Sequence, residues 1–172
     1  MVNRVSIRVL PGSSQAVNTR QSPTARYTAG LFEESPLQID TQWIRDNASL
    51  AQHCAVWRQL PFVAVDTEFM RVDTFYPIAG LIQIGDGERA FLIDPLEISD
   101  WTPFSALLED PAVVKVLHAC GEDLEVFQHL TGSLPTPLFD TQLAAGYLNL
   151  GFSMGYSRLV MAVLNIDLPK DA

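Results

Sequence analysis

The stretch FVAVDTEFMRVDTFYPIAGLIQIG, residues 62–85, places two acids at the end of an apolar run that is typical of a buried strand. Side chains of a strand alternate between two faces, so Asp66 and Glu68 are expected to point the same way, about 7 Å apart. Burying an unpaired carboxylate is costly, and two neighbouring ones therefore need a partner that offsets the cost. The candidate partners are a basic side chain, a backbone cap or a metal ion.

The sequence on either side of this stretch predicts an α/β fold. The early strands are joined by the turn signal GDGE, and helices and strands alternate after them. This order predicts a mixed five-stranded sheet flanked by helices, with the first three strands mostly antiparallel and the last two parallel. The predicted strands are 62–69, 79–84, 90–93, 113–119 and 137–140, with a further short strand possible at 37–44. The predicted helices are 46–60, 102–110, 121–132 (ended by Gly132), 141–150 (capped by Asp140) and 156–165.

Composition indicates one globular domain. The chain has 172 residues, of which 48% are hydrophobic, and a formal net charge of -9. Net charge alone does not suggest nucleic-acid binding, although acids clustered around divalent cations also make a protein acidic. The two cysteines are too few for a disulfide framework, so a reducing, cytoplasmic location is expected. No apolar run approaches the roughly 18 to 20 residues that a membrane span requires.

The N-terminal segment differs from the rest in charge. Residues 1–32 contain no acid, while four arginines are scattered among Ser, Thr, Pro and Gly. We expect residues 1–36 to be a disordered leader or a spurious extension, with an organellar transit peptide as the alternative. The folded domain is predicted to cover residues 37–172.

A metal site at the end of the first strand needs a third acid from elsewhere in the chain. Asp123 is the natural candidate, because it lies in the first turn of the helix that follows VVKVLHA. There an acid is also favoured by the helix dipole, so Asp123 can alternatively be an ordinary helix stabiliser. Asp140 is predicted to be an N-cap. His118 is predicted to be either a substrate contact or a structural residue. Two divalent ions about 3.5 to 4 Å apart would make a phosphoryl-transfer site.

Three segments carry a resemblance to a known family. VAVDTEFMRVDTFYPIAGLIQIG, VVKVLHACGEDLEVF and LFDTQLAAGYLNLGFSMGYSRLV resemble the ribonuclease D family of DEDD-superfamily 3'-5' exoribonucleases, over about residues 37–169. The resemblance implies an RNase H-like α/β domain and two-metal-ion hydrolysis with Mg²⁺ or Mn²⁺. It also implies that the substrates are RNA 3' ends, with tRNA precursors as the class. No membrane association and no protein partner are expected.

The resemblance also assigns roles to residues. Asp66 and Glu68 match the first exonuclease motif and Asp123 the second, so these three are the expected catalytic and metal-binding residues. Asp66 would bridge both ions, Glu68 would hold the ion that activates water, and Asp123 would anchor the other ion. The family positions that line the 3' end of the substrate match Thr67, Phe69 and His118.

One family motif has no match in this sequence. Ribonuclease D has a Tyr-x-x-x-Asp motif beyond the matching segments, and the present sequence stops at Ala172. Tyr147 and Tyr156 are followed four residues later by Gly151 and Val160 instead of an acid. We therefore expect a C-terminally incomplete exonuclease domain with little activity of its own. The alternatives are a non-catalytic RNA-binding remnant and a DNA-directed 3'-5' exonuclease of the same superfamily.

Overall fold

The computed structural model describes residues 40–168, which form a mixed sheet flanked by helices; the predicted leader at residues 1–36 lies outside this range. The elements are β1 (Thr41–Ile44), α1 (Asn47–Trp57), β2 (Phe62–Met70), β3 (Ile78–Gly85), β4 (Ala90–Ile93), α2 (Thr102–Leu108), β5 (Val114–Leu117), α3 (Gly121–Thr131), β6 (Leu138–Asp140), α4 (Thr141–Tyr147) and α5 (Tyr156–Leu164). The α/β class and the order of elements agree with the sequence prediction. No helix in the described range has both the length and the apolar character needed to cross a membrane.

The sheet has six strands in the order β1-β4-β3-β2-β5-β6, so the prediction of five strands was wrong. β2 pairs with β3, and β3 with β4, in antiparallel fashion, while β5 and β6 extend the sheet in parallel, as predicted. The additional strand, β1, pairs in parallel with β4 at the sheet edge. Three of its four residues are exposed, which is why its apolar signal in the sequence is weak.

The core forms where α1, α2 and α3 pack against one face of the sheet. Val63 and Val65 of β2 are buried there, while Ala64 between them is only half-buried. Helix α1 contributes Leu50, Cys54 and Trp57, which are spaced to make a single apolar stripe. The Trp57 ring meets Phe91 edge to face, with ring centroids 5.1 Å apart.

Lys115 is an unexpected member of the interior. It lies in β5, which the sequence predicts to be an apolar strand, and it is fully buried. Its Nζ donates to the backbone carbonyls of Asp110, Val113 and Thr136 at 2.9, 2.7 and 2.7 Å. These three bonds satisfy the ammonium group and tie the loop before β6 to β5.

The central strand β2 extends beyond its neighbour β5. The two strands pair only from Phe62 to Ala64, whereas β2 continues to Met70 beside β3. The backbone of the last part of β2 is therefore open on the β5 side. After β5 ends, the chain turns through Ala119, whose φ is 56°, and enters α3. The first turn of α3 thus lies beside the open part of β2.

Candidate active site

Asp66 and Glu68 occupy the open part of β2. Both are half-buried, whereas Val65 and Thr67 are buried, so burial alternates as expected for two acids on one face of the strand. Gln83 stands opposite Asp66 in β3, and its Nε2 donates to Asp66 Oδ2 at 3.2 Å. Gln83 is a site residue that the sequence reasoning missed; its signal is a polar side chain inside the apolar run LIQIG.

Asp123 reaches β2 from the first turn of α3. It is only 8% exposed, and its Oδ1 accepts hydrogen bonds from the Thr67 backbone N–H at 3.1 Å and from Thr67 Oγ1 at 2.5 Å. A residue that merely stabilised its own helix would not need these contacts with another element. The structure therefore brings Asp123 to the strand that carries the other two acids, and it places Thr67 as the link between them.

The three carboxyl groups repel one another. Burial, together with the nearby carboxylates of Asp123 and Glu68, raises the pKa of Asp66 to about 6. Burial and Asp123 together also raise the pKa of Glu68. Burial raises the pKa of Asp123, although the hydrogen bonds from Thr67 oppose the shift. Each of these shifts has the sign expected for acids that share a site and lack a counter-charge.

A basic side chain does not provide that counter-charge. Within residues 40–168, none of the three acids forms an ion pair with Lys, Arg or His. Carboxylate oxygens are instead the donors that a hard divalent cation prefers. The donor set therefore fits such an ion in chemistry and in charge.

The side chains do not form a finished metal site. In the described part of the chain, no three His, Cys, Asp or Glu side chains are grouped closely enough to hold an ion. At Asp123, Oδ1 is engaged by Thr67. The assignment of Asp66, Glu68 and Asp123 as metal ligands thus stays a prediction.

His118 and Tyr156 form a second group of side chains at this edge of the sheet. His118 follows β5, and its Nδ1 lies 2.8 Å from Thr141 Oγ1. Its ring meets that of Tyr156 at 71°, with centroids 5.5 Å apart. Burial lowers the pKa of His118, and the Asp140 carboxylate partly offsets this effect. His118 Nε2 is shielded from solvent and makes no hydrogen bond of good geometry within residues 40–168, although the Met154 backbone is near enough to raise the pKa of the ring.

Tyr156 is a site residue that sequence reasoning set aside because no acid follows it four residues later. Burial raises its pKa, and the charge of Asp66 raises it further, so the phenol lies within electrostatic reach of the acids. Phe69, in contrast, follows a register shift between Glu68 and Phe69 and is half-buried. Its contact with a substrate stays a prediction, as does that of His118.

Comparison with known proteins identifies the family. Residues 41–172 match the family model described as 3'-5' exonuclease. The chain belongs to the 3'-5' exonuclease family. The exonuclease domain is 72% identical over 141 residues to ribonuclease D of Pseudomonas paraeruginosa, a match that covers 82% of this chain and 37% of the relative. The chain thus spans about a third of the length of the curated relatives that it matches.

Solved structures agree with this assignment. The crystal structure of Escherichia coli RNase D superposes on the exonuclease domain with a TM-score of 0.73 at 45% identity, covering 76% of this chain and 35% of that one. The structure of Trypanosoma brucei RNase D in complex with RNA U12 superposes with a TM-score of 0.67 at 18% identity, covering 77% and 49%. The second likeness concerns the fold alone. The E. coli structure confirms the predicted RNase H-like fold class and, with the curated relatives, the ribonuclease D resemblance. Exonucleases of this family use divalent metal ions.

Proposed function

We propose that this chain is the catalytic domain of a ribonuclease D-type 3'-5' exoribonuclease. The observation that supports the proposal is the group formed by Asp66, Glu68 and Asp123, three acids that repel one another without a basic partner in the described residues. They stand where a strand end meets the first turn of a helix, in a chain of the exonuclease family. The curated relatives named ribonuclease D add to this support.

Two Mg²⁺ or Mn²⁺ ions are the proposed cofactors. Bound ions would supply an activated water and would stabilise the leaving oxygen of the phosphodiester. Asp66, flanked by the other two acids, would contact both ions, with Glu68 and Asp123 holding one each. Thr67 keeps Asp123 directed toward β2 through its two hydrogen bonds.

The proposed substrates are RNA 3' ends, with tRNA precursors as the class. E. coli RNase D is described as an exoribonuclease involved in structured RNA processing, and the T. brucei protein was solved with RNA. In this chain Phe69 and His118 would contact the terminal nucleotide. The cytoplasmic location stays a prediction.

Nucleic-acid preference tests the substrate assignment. Strands of RNA and DNA with the same sequence and a 5' label are incubated with the chain and Mg²⁺, and shortening is followed on gels. We expect slow shortening of RNA from its 3' end and less of DNA. A preference for DNA would identify the DNA-directed alternative, and metal binding without any shortening would identify the non-catalytic one.

A matched pair of substitutions tests the site assignment. Asp66→Asn removes a proposed ligand, whereas Asp86→Asn removes the same charge from the β3–β4 turn, where Asp86 accepts bonds from Glu88 and Arg89. We expect Asp66→Asn to abolish shortening and to weaken Mn²⁺ binding in calorimetry, with Asp86→Asn like the parent chain. Normal activity of Asp66→Asn with metal present would refute the assigned role.

A further inference from the structure

The carboxylate of Asp140 joins two segments of the chain. At the start of α4 its Oδ1 accepts hydrogen bonds from the backbone N–H groups of Gln142 and Leu143, at 2.7 and 3.2 Å. It also accepts bonds from the segment that leads into α3: from Ala119 N–H at 3.2 Å and from Cys120 N–H at 3.0 Å. One side chain thus collects four N–H donors from two helix starts that lie about twenty positions apart.

The sheet brings these two helix starts together. β5 and β6 are parallel neighbours, with Leu117 beside Asp140, so the chain leaves both strands at the same edge. Ala119, in the turn after β5, has a φ of 56°, a left-handed conformation that a residue with a Cβ rarely adopts unless its surroundings hold it. The N–H bonds from Ala119 and Cys120 to Asp140 hold this turn, together with the bond from the Gly121 N–H to the Ala119 carbonyl at 2.9 Å.

Two predicted site residues flank the held turn. His118 precedes Ala119, and Asp123 lies in the first turn of the helix that follows it. His118 is additionally held by Thr141, whose Oγ1 lies 2.8 Å from Nδ1 and also donates to the Leu117 carbonyl at 3.1 Å. The end of β6 therefore supports the whole segment from His118 to Asp123.

We propose that Asp140 is a positioning residue of the exonuclease site, which sets the place of Asp123 and His118 relative to Asp66 and Glu68. This inference rests on the proposed function and deepens it. An ordinary N-cap serves only its own helix, as Asp46 does: it accepts bonds from Ser49 N at 2.8 Å and Ser49 Oγ at 2.7 Å, both in α1. Asp140 instead spans two helices, one of which carries a proposed metal ligand.

Substitution by serine separates the two roles. Serine is a good N-cap, so Asp140→Ser keeps a cap for α4, but its single oxygen cannot also serve Ala119 and Cys120. Asp46→Ser is the matched control, because it makes the same change at a cap that contacts only its own helix. If Asp140→Ser does not fold, Asp140→Asn, which keeps the shape of the side chain, takes its place with the same measurement.

The measurement is amide hydrogen exchange at Thr67, whose N–H donates to Asp123 Oδ1 and therefore reports where Asp123 lies. We expect Asp140→Ser to reduce the protection of this amide by about tenfold beyond any change in global stability, since a bond to a charged acceptor is lost or weakened. Asp46→Ser should change Thr67 protection only in proportion to global stability. Unchanged protection of Thr67 in the Asp140 variant would overturn the proposal.

An activity assay separates this proposal from the function on which it rests. With 3'-labelled RNA and Mg²⁺, we expect Asp140→Ser to lower kcat with little change in KM, and Asp46→Ser to leave both unchanged. A kcat equal to that of the parent chain would count against Asp140 as a positioning residue. If the parent chain itself degrades no RNA, the proposed function fails, and exchange at Thr67 still decides whether Asp140 positions Asp123.

Discussion

Thr67 holds the carboxylate of Asp123, which belongs to α3, against the central strand β2. It lies between the two acids of β2 but faces the other way, is buried, and donates both its backbone N–H and its hydroxyl to Asp123 Oδ1. A buried carboxylate with two donors costs less to keep ionised than one without them. A residue that the family resemblance assigns to substrate contact thus also has a structural role within the site.

Substitution of Thr67 tests this role. Thr67→Val keeps the shape of the side chain but removes the hydroxyl donor, so we expect the free energy of unfolding to fall by about 1–3 kcal/mol. Thr67→Ser keeps the hydroxyl and should cost less. Urea denaturation of the parent chain and both variants, at pH 8 with a chelator present, measures the differences. Equal stability of the valine variant and the parent chain would show that this bond contributes nothing.

Helix α3, which carries Asp123, begins and ends with different kinds of backbone contact. At its start, Cys120 makes no side-chain cap, and the segment depends on Asp140 instead. Its end is set by Gly132, which has a φ of 73° and whose N–H bonds to the Gln128 carbonyl at 3.1 Å. A left-handed residue at this position is the usual way to stop a helix, and glycine adopts it without strain.

The same substitution at two glycines should therefore have opposite effects. A Cβ at Gly132 would meet no atom within 4 Å, so Gly132→Ala costs only the strain of a positive φ, about 1 kcal/mol. Gly146 lies inside α4 with equally free space, and Gly146→Ala should stabilise by about 0.5–1 kcal/mol. Thermal unfolding of both variants measures the signs. A stabilising Gly132→Ala would contradict the assigned end of α3.

At the scale of the whole molecule, the acids of the site act against folding in the absence of metal. Burial raises the pKa of Asp66 to about 6, with smaller contributions from Asp123 and Glu68. A folded-state pKa above the unfolded value of 3.8 means that the folded protein binds the proton more tightly. Protonated Asp66 therefore stabilises the folded chain. This stabilisation is fully present below the unfolded-state pKa of 3.8 and is lost as the pH rises through the folded-state pKa of about 6.

We therefore expect the metal-free chain to lose stability between about pH 4 and pH 6, by up to about 3 kcal/mol from Asp66. Asp66→Asn should lack this part of the pH dependence and should be more stable than the parent chain at pH 7. Urea denaturation at several pH values in a chelator measures both curves. If the free energy of unfolding depends on pH in the same way for both proteins, then burial does not raise the pKa of Asp66.

Divalent metal should reverse that loss of stability, because an ion that binds only the folded chain shifts the unfolding equilibrium. At pH 7, Mg²⁺ or Mn²⁺ should raise the free energy of unfolding of the parent chain and should have a smaller effect on Asp66→Asn. The comparison needs no catalytic activity. An equal effect of metal on both proteins would place the ion elsewhere.

Local patterns in the sequence determined the class of fold and several of its details. The alternation along β2, the Asp140 cap of α4 and the Gly132 end of α3 all follow from neighbours within a few residues. Such features are readable because they depend on backbone geometry close to the residue itself. The three acids were also selected from the sequence, through their place at element ends and the family resemblance.

Only the tertiary structure decided how these pieces meet. The segment 37–44 was marked as a possible short strand, but its place in the sheet, as an edge strand parallel to β4, follows only from the tertiary structure. Likewise, Thr67 binds an acid 56 positions away, and Asp140 reaches 20 and 21 positions back to α3. These contacts depend on how strands of the sheet line up and where each ends. That alignment is settled by packing over the whole domain, which no short window of sequence contains.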